Sequence, residues 1–249
     1  MIGAVFIANQ TPGFVVAGAL MLLSGIIAVI ILPKEGPADF LPRQKEGLGE
    51  VVKSFRPPKF STAHDFYKAF AGRLCMLLSY QMITIYQLYI LENYVGLEVK
   101  EAGVVISSMS VITMVVSLVG SVAAGPLSDM IGRRKVPIVI ASVLFAIGIA
   151  MPWLMPSATG MLLYAGIAGL GYGVYSSVDQ ALNVDVLPSK EEAGKNLGIL
   201  NLATTLGPML GPVLMSAITL SLGYAFAFPI AIAFALLGCV FIMLIRGVR

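Results

Sequence analysis

Apolar positions in this chain gather into seven long runs, roughly residues 14–33, 66–91, 102–124, 136–155, 159–183, 196–220 and 224–245, separated by polar connections. A bilayer crossing takes about twenty apolar residues as a helix, and each run meets that length. All seven must be helical, because lipid offers no hydrogen-bond partner to open backbone. A Leu-type residue gains about 0.3–0.6 kcal/mol on insertion and a central charge costs about 2.5–3.5 kcal/mol. Each span therefore tolerates an occasional polar residue, and a cluster of them demands a reason.

Composition supports lipid as the solvent. Of 249 residues 58% are hydrophobic and 12% charged, with a mean hydropathy of +0.91. A soluble domain carries about a quarter charged residues, so a water-soluble core could not absorb this much apolar side chain while leaving so few ionic groups for the surface. Cys75 and Cys239 lie far apart within apolar runs and in no metal-ligand spacing, which reads as two buried thiols. His64 is the only histidine and stands without a partner cluster. A metal site, a Ser-His-Asp constellation and a cofactor site thus have nothing to build on, and an enzyme is not expected. No Lys or Arg precedes the first span, so a secretory signal peptide is not expected either.

The placement of cations sets the expected orientation. Segment 34–65 holds Lys34, Arg43, Lys45, Lys53, Arg56 and Lys59; the next connections on that side add Arg133, Arg134, Lys135, Lys190 and Lys195, and the tail adds Arg246 and Arg249. Lys100 alone occupies the opposite connections, while Lys68 and Arg73 fall in the first turns of the second span. The positive-inside rule makes the crowded side cytoplasmic. Seven crossings then put residue 1 outside, which is expected of a chain whose upstream spans are missing.

One connection carries a motif. GPLSDMIGRRK, residues 125–135, resembles the loop signature of the major facilitator superfamily, G-x-L-x-D-x-x-G-R-[RK]-[RK], at Gly125, Leu127, Asp129, Gly132, Arg133, Arg134 and Lys135; Met130 stands where the family often has Arg. Two glycines allow helix ends to approach and turn, and Asp129 at a helix end can accept from Arg133 or from loop amides. The resemblance implies an all-α membrane fold in which this loop joins helices eight and nine. The seven spans are then helices six to twelve, six of them forming the C-terminal half-bundle. It implies that Gly125, Asp129, Gly132, Arg133 and Arg134 form a conformational latch; the other reading of the cations is topology and contact with anionic lipid. Residues 1–33 are expected to be an outer segment plus helix six, 34–65 a cytoplasmic linker, and 66–249 the six-helix bundle. Within the linker, Val51, Val52 and Phe55 suit a short amphipathic surface helix, and Thr62 with Asp65 a capping pair.

Polar residues inside spans mark candidate solute contacts. At 100° per residue, Tyr80, Thr84 and Gln87 each lie within about 40° of the direction of Arg73. Tyr80, Thr84 and Gln87 suit a polyhydroxylated ligand or, alternatively, helix–helix hydrogen bonds; Arg73 is expected to snorkel to the cytoplasmic surface. Tyr172, Ser176, Asp179 and Asn183 also share a direction. Asp179 is either a proton or cation carrier or a structural partner of Arg133, and Asp185 a helix-end contact with the loop. In GPMLGP, Gly207 and Gly211 suit close packing, and Pro208 and Pro212 a kink.

The phrasing of DFYKAFAGRLCMLLSYQMITIYQLYI, VDQALNVDVLP and KNLGILNLA is similar to sugar–cation symporters. The expected protein is a secondary transporter of a small polar solute, such as a sugar, coupled to a proton or cation and completed by a missing N-terminal half, in a bacterial plasma membrane. Its partners are lipid, the solute and the ion; nucleic acid is not expected. Efflux of drugs or metabolites is the rival within transport. A non-transporting scaffold or partner-binding subunit is the rival outside it.

Overall fold

A computed structural model of the chain describes residues 10–31, 57–61, 63–132, 134–189 and 192–247. They belong to two units, Met1–Arg56 and Pro57–Arg249. In the first unit α1 (Gln10–Ile31) exposes its large apolar side chains from Phe14 to Ile31. The expected linker helix around Val51, Val52 and Phe55 lies outside the described residues.

The second unit holds α2 (His64–Ile90), which continues through a π-helical turn (Leu91–Val95), then α3 (Val99–Ile131), α4 (Lys135–Leu154), α5 (Ala158–Asp185), α6 (Ala193–Ser221) and α7 (Tyr224–Met243). The described fold is all-helical, with seven helices long and apolar enough to cross a membrane. Helix boundaries fall within a few residues of the apolar runs, with one exception. The motif is not a turn from Gly125 onward. α3 runs through Gly125 and Pro126 to Ile131, and only Gly132, at φ +62°, takes the left-handed conformation that reverses the chain. A side chain on Gly125 would meet open space, so the expected close approach there is corrected to a plain helical position.

α5 packs along α3 and α4, α2 packs along α6 and α7, and α4 joins α7. In lipid the apolar surface alone gives helices little reason to associate, so small residues that let backbones touch carry the packing. A Cβ on Gly207 would sit 2.7 Å from the Leu77 Cβ, and one on Gly211 3.2 Å from the Gln81 Cβ, so this pair seats α6 on α2. Pro208 and Pro212 lie within a helix that nonetheless runs unbroken to Ser221. Gly173 lies against the Ser117 backbone carbonyl and brings α5 onto α3.

At one end of the bundle the last helix is tied down by charge. Lys68 Nζ donates to the Leu244 carbonyl (2.9 Å), Lys135 Nζ donates to the Ile245 carbonyl, and Asp65 Oδ2 accepts from the Arg246 and Gly247 amides (3.0 and 2.6 Å). Cations on orphan C-terminal carbonyls satisfy both the hydrogen bond and the helix dipole. Asp65 is therefore spent on the tail and on Lys68 (2.9 Å). The residue capping α2 is Ala63, with no side-chain hydrogen bond, and Thr62, its expected partner, lies outside the described residues.

Candidate functional site

α2 turns Tyr80, Thr84 and Gln87 into one cavity of about 270 Å³, closed by Met109, Ser110, Thr113 and Met114 of α3 and Tyr164 of α5. Six of these eight side chains can hydrogen-bond, and none is charged. Thr84 Oγ1 lies 2.9 Å from Tyr164 Oη, which fixes the tyrosine across the gap.

Aromatic rings back this wall. Tyr80 stacks on Phe145 (centroids 5.3 Å, planes 26° apart) and on Tyr172 (4.9 Å, 14°), with Tyr164 at 6.5 Å. Tyr80 is buried, whereas Tyr172 and Ser176 are exposed. Ser176 donates to the Gly173 carbonyl at 3.1 Å, which leaves its oxygen lone pairs open to a ligand donor.

Two turns along α5 the environment changes. Asp179 and Asn183 share Tyr172's direction on the wheel but are buried, and Arg73 of α2 meets Asp179 there. Arg73 Nη2 lies 3.2 Å from Asp179 Oδ2, and Asn183 Nδ2 donates to the same oxygen at 3.1 Å. Arg73 is 3% exposed and Asp179 4%. One expectation is corrected here. Arg73 does not snorkel: at this level the bundle encloses it, and its charge is met by the acid rather than by interfacial water. Among the described residues Asp179 pairs with Arg73; Arg133, its expected structural partner, lies outside them. The pair also shows its cost, since Arg73 Nε and Nη1 and the neighbouring Tyr175 hydroxyl are buried without hydrogen-bond partners.

At the basic end Arg134 Nε meets Asp185 Oδ2 at 2.7 Å, joining the start of α4 to the end of α5 across a half-exposed pair. Arg133 and the Asp129 side chain, the other half of the expected latch, lie outside the described residues. Among the described residues no group of three or more His, Cys, Asp or Glu converges on a point that could hold a metal.

Sequence reasoning missed Tyr164, the α3 contribution and exposed Gln180. A signal was present for α3: Ser107, Ser110, Thr113 and Ser117 recur at spacings of three and four. For Phe145, an apolar residue among apolar residues, no signal existed.

The profile of the Major Facilitator Superfamily matches residues 69–249. The chain is 26% identical over 208 residues to MFS transporter asaE of Aspergillus flavus, covering 80% of this chain and 42% of that protein. It is 36% identical over 121 residues to the Acurin A biosynthesis cluster MFS-type transporter of Aspergillus aculeatus, covering 48% of this chain and 21% of that one. It is 28% identical over 130 residues to Multidrug resistance protein 3 of Bacillus subtilis, covering 52% and 25%. The chain thus spans less than half the length of these relatives. Among solved structures, the human organic anion transporter MFSD10 (TETRAN) superposes with a TM-score of 0.58 at 21% identity over 76% of this chain and 48% of that one, a likeness of fold. The match to the family profile covers well over half of the sequence, and the chain belongs to the major facilitator superfamily.

Proposed function

We propose that this chain supplies helices six to twelve of a transporter that moves a small, uncharged polar solute of the sugar class across a membrane by alternating access. One observation carries the reading: a cavity bounded by three helices presents Tyr80, Thr84, Gln87, Ser110, Thr113 and Tyr164 together and contains no charge. Burying so many hydrogen-bonding groups in a membrane span is costly unless something polar meets them. The basic end, with Lys68, Arg134, Lys135 and Arg246, faces the cytoplasm in this reading. Gly132 and the Arg134–Asp185 pair belong to a latch with Asp129 and Arg133 that opens as the two halves rock. The N-terminal half completes the solute path, and a proton or cation gradient drives it. Asp179, as an acid held inside a span, is the coupling candidate, with Arg73 as its counter-charge.

The test is uptake of labelled disaccharide by the full-length protein in proteoliposomes under an imposed pH gradient. Gradient-dependent uptake that an uncoupler abolishes is the expected result; uptake indifferent to the uncoupler would remove proton coupling. Asp179→Asn is expected to uncouple uptake, and unchanged coupled uptake would strip Asp179 of that role.

A second reading is export of an amphipathic metabolite. The Phe145–Tyr80–Tyr172 stack favours it, since aromatic walls suit such cargo. So do the names of a multidrug resistance relative and a biosynthesis-cluster relative. Efflux of an aromatic dye from everted vesicles, with no disaccharide uptake, would select it.

A further inference from the structure

Tyr172 stands at the middle of α5, about 20 Å of helix from either end. It is 36% exposed. An exposed tyrosine near a helix end belongs to the interfacial aromatic belt, but this one is at the depth of the hydrocarbon centre. Its neighbours one and two turns on, Ser176 and Gln180, are exposed too, so the row Tyr172, Ser176, Gln180 is polar where a lipid-facing row would be apolar. That row faces something wet or something polar.

The ring is also held. One face of Tyr172 lies on Tyr80 at 4.9 Å and 14°, and Tyr80 is in turn pinned by Phe145 and by Tyr164, which Thr84 fixes at 2.9 Å. A ring backed in this way loses little freedom when a second ring lands on its open face, so the ordering cost of binding is low. No charged side chain lines the adjoining cavity. The nearest buried charges, Arg73 and Asp179, already answer each other.

We infer that Tyr172 is the stacking platform of the solute site, and that the solute is an uncharged molecule carrying a ring whose flat apolar face lies on Tyr172 while its hydrogen-bonding edge meets Ser176 and Gln180. The inference rests on the transport reading above and narrows it from small polar solutes to ring-bearing ones. Ser176 offers an acceptor and Gln180 both a donor and an acceptor, which suits the hydroxyl rim of a glycoside or the substituted edge of an aryl ring.

The test measures equilibrium binding of 4-nitrophenyl β-D-glucopyranoside to the full-length protein in nanodiscs, for wild type, Tyr172→Phe, Tyr172→Trp and Tyr172→Leu. Phe and Trp keep a ring and are expected to hold affinity within about threefold, while Leu weakens it about tenfold, the upper range of a single aromatic contact. The Phe and Trp variants keep the stack on Tyr80, so the comparison survives if Leu fails to fold. In that case Ser176→Ala and Gln180→Ala are each expected to weaken binding severalfold. Methyl β-D-glucopyranoside and 4-nitrophenol as competitors reveal which ring occupies the platform, and acyclic sorbitol is expected not to compete. Equal affinity across the ring-bearing and ringless variants, absence of saturable binding, or competition by sorbitol as strong as by the rings overturns the inference. Gradient-driven uptake that persists alongside any of these results leaves the transport reading standing. Ring-dependent binding without uptake of any solute leaves the platform standing and removes that reading.

Discussion

Tyr172 and Ser176 stand exposed on α5, whereas Asp179 and Asn183, one to two turns further along and in nearly the same direction, are buried, the acid paired with Arg73 and the amide donating to the acid. The two stretches have similar polarity and opposite surroundings. In the first, polar groups keep lone pairs and a ring face open, as a ligand site requires. In the second, the acid is consumed inside the protein by a guanidinium and an amide, and the region holds α2 and α5 in register. What separates them is the opposing helix: Tyr80 covers one face of Tyr172 and stops, while Arg73 reaches over Asp179. Substitutions in the buried stretch should therefore cost stability, and substitutions in the exposed stretch should cost binding.

The largest effect expected on that contrast is Asp179→Leu. It leaves Arg73 charged, buried and uncompensated, which costs about 3–5 kcal/mol when one member of a buried pair is removed. The double variant Arg73→Met with Asp179→Leu removes both charges and is expected to regain most of the loss. Reversible unfolding in mixed micelles measures both. If Asp179→Leu alone is neutral, the pair is not buried as described and the contrast between the two stretches fails.

Gly173→Ala comes next. Its methyl would be driven into the Ser117 backbone carbonyl, which cannot rotate away, so α3 and α5 must separate. Overpacking of this kind costs about 1–3 kcal/mol. Gly173 adjoins Tyr172, so the same change shifts the exposed stretch as well, and weaker ligand binding should accompany the loss of stability. Gly125→Ala, which meets open space in mid-helix, serves as the control and is expected to be neutral or slightly stabilising.

These two regions also show how far the sequence alone could be read. Seven apolar runs and the requirement for internally satisfied backbone were enough to place every described helix within a few residues, except for the far end of α3, because in lipid length and hydropathy leave no other secondary structure. Helical periodicity correctly aligned Tyr80, Thr84 and Gln87, which line one cavity. It also aligned Arg73 with them, and there it misled. A helical wheel gives the direction of a side chain but not what stands opposite, and only the meeting of α2 with α5 decides that Arg73 is enclosed and Tyr172 is not. The motif pointed to the right family, but the reading of it as a turn from Gly125 onward went wrong in a related way. Gly125 and Pro126 look like chain breakers, yet Pro within a membrane helix is tolerated when neighbouring groups take up the freed backbone, and α3 continues through both. Tyr164 and Phe145 were illegible because nothing local distinguishes a wall residue from packing.

A smaller effect is expected of Thr84→Val, which keeps shape and deletes the hydroxyl facing Tyr164 at 2.9 Å. The stranded tyrosine hydroxyl should cost about 1 kcal/mol. Since Tyr164 closes the cavity, ligand affinity should fall by more than the stability change alone would produce. A loss of stability with unchanged binding would assign the hydrogen bond to helix packing instead.

The smallest effect on stability, and the sharpest on the comparison, is Gln180→Leu. Gln180 is exposed one turn beyond Ser176, on the same row as Tyr172. If that row faced lipid, replacing an amide with Leu would favour insertion, because the apolar side chain is preferred in hydrocarbon. If it faces a watery solute path, the change adds an exposed apolar group and removes a hydrogen-bonding edge. Stability is then expected to stay within about 0.5 kcal/mol, as for a surface change, while ligand affinity drops severalfold. Unfolding in micelles and ligand binding on the same preparation separate the cases. A clear gain in stability with unaltered binding would place the exposed stretch of α5 against lipid and erase the distinction between its two halves.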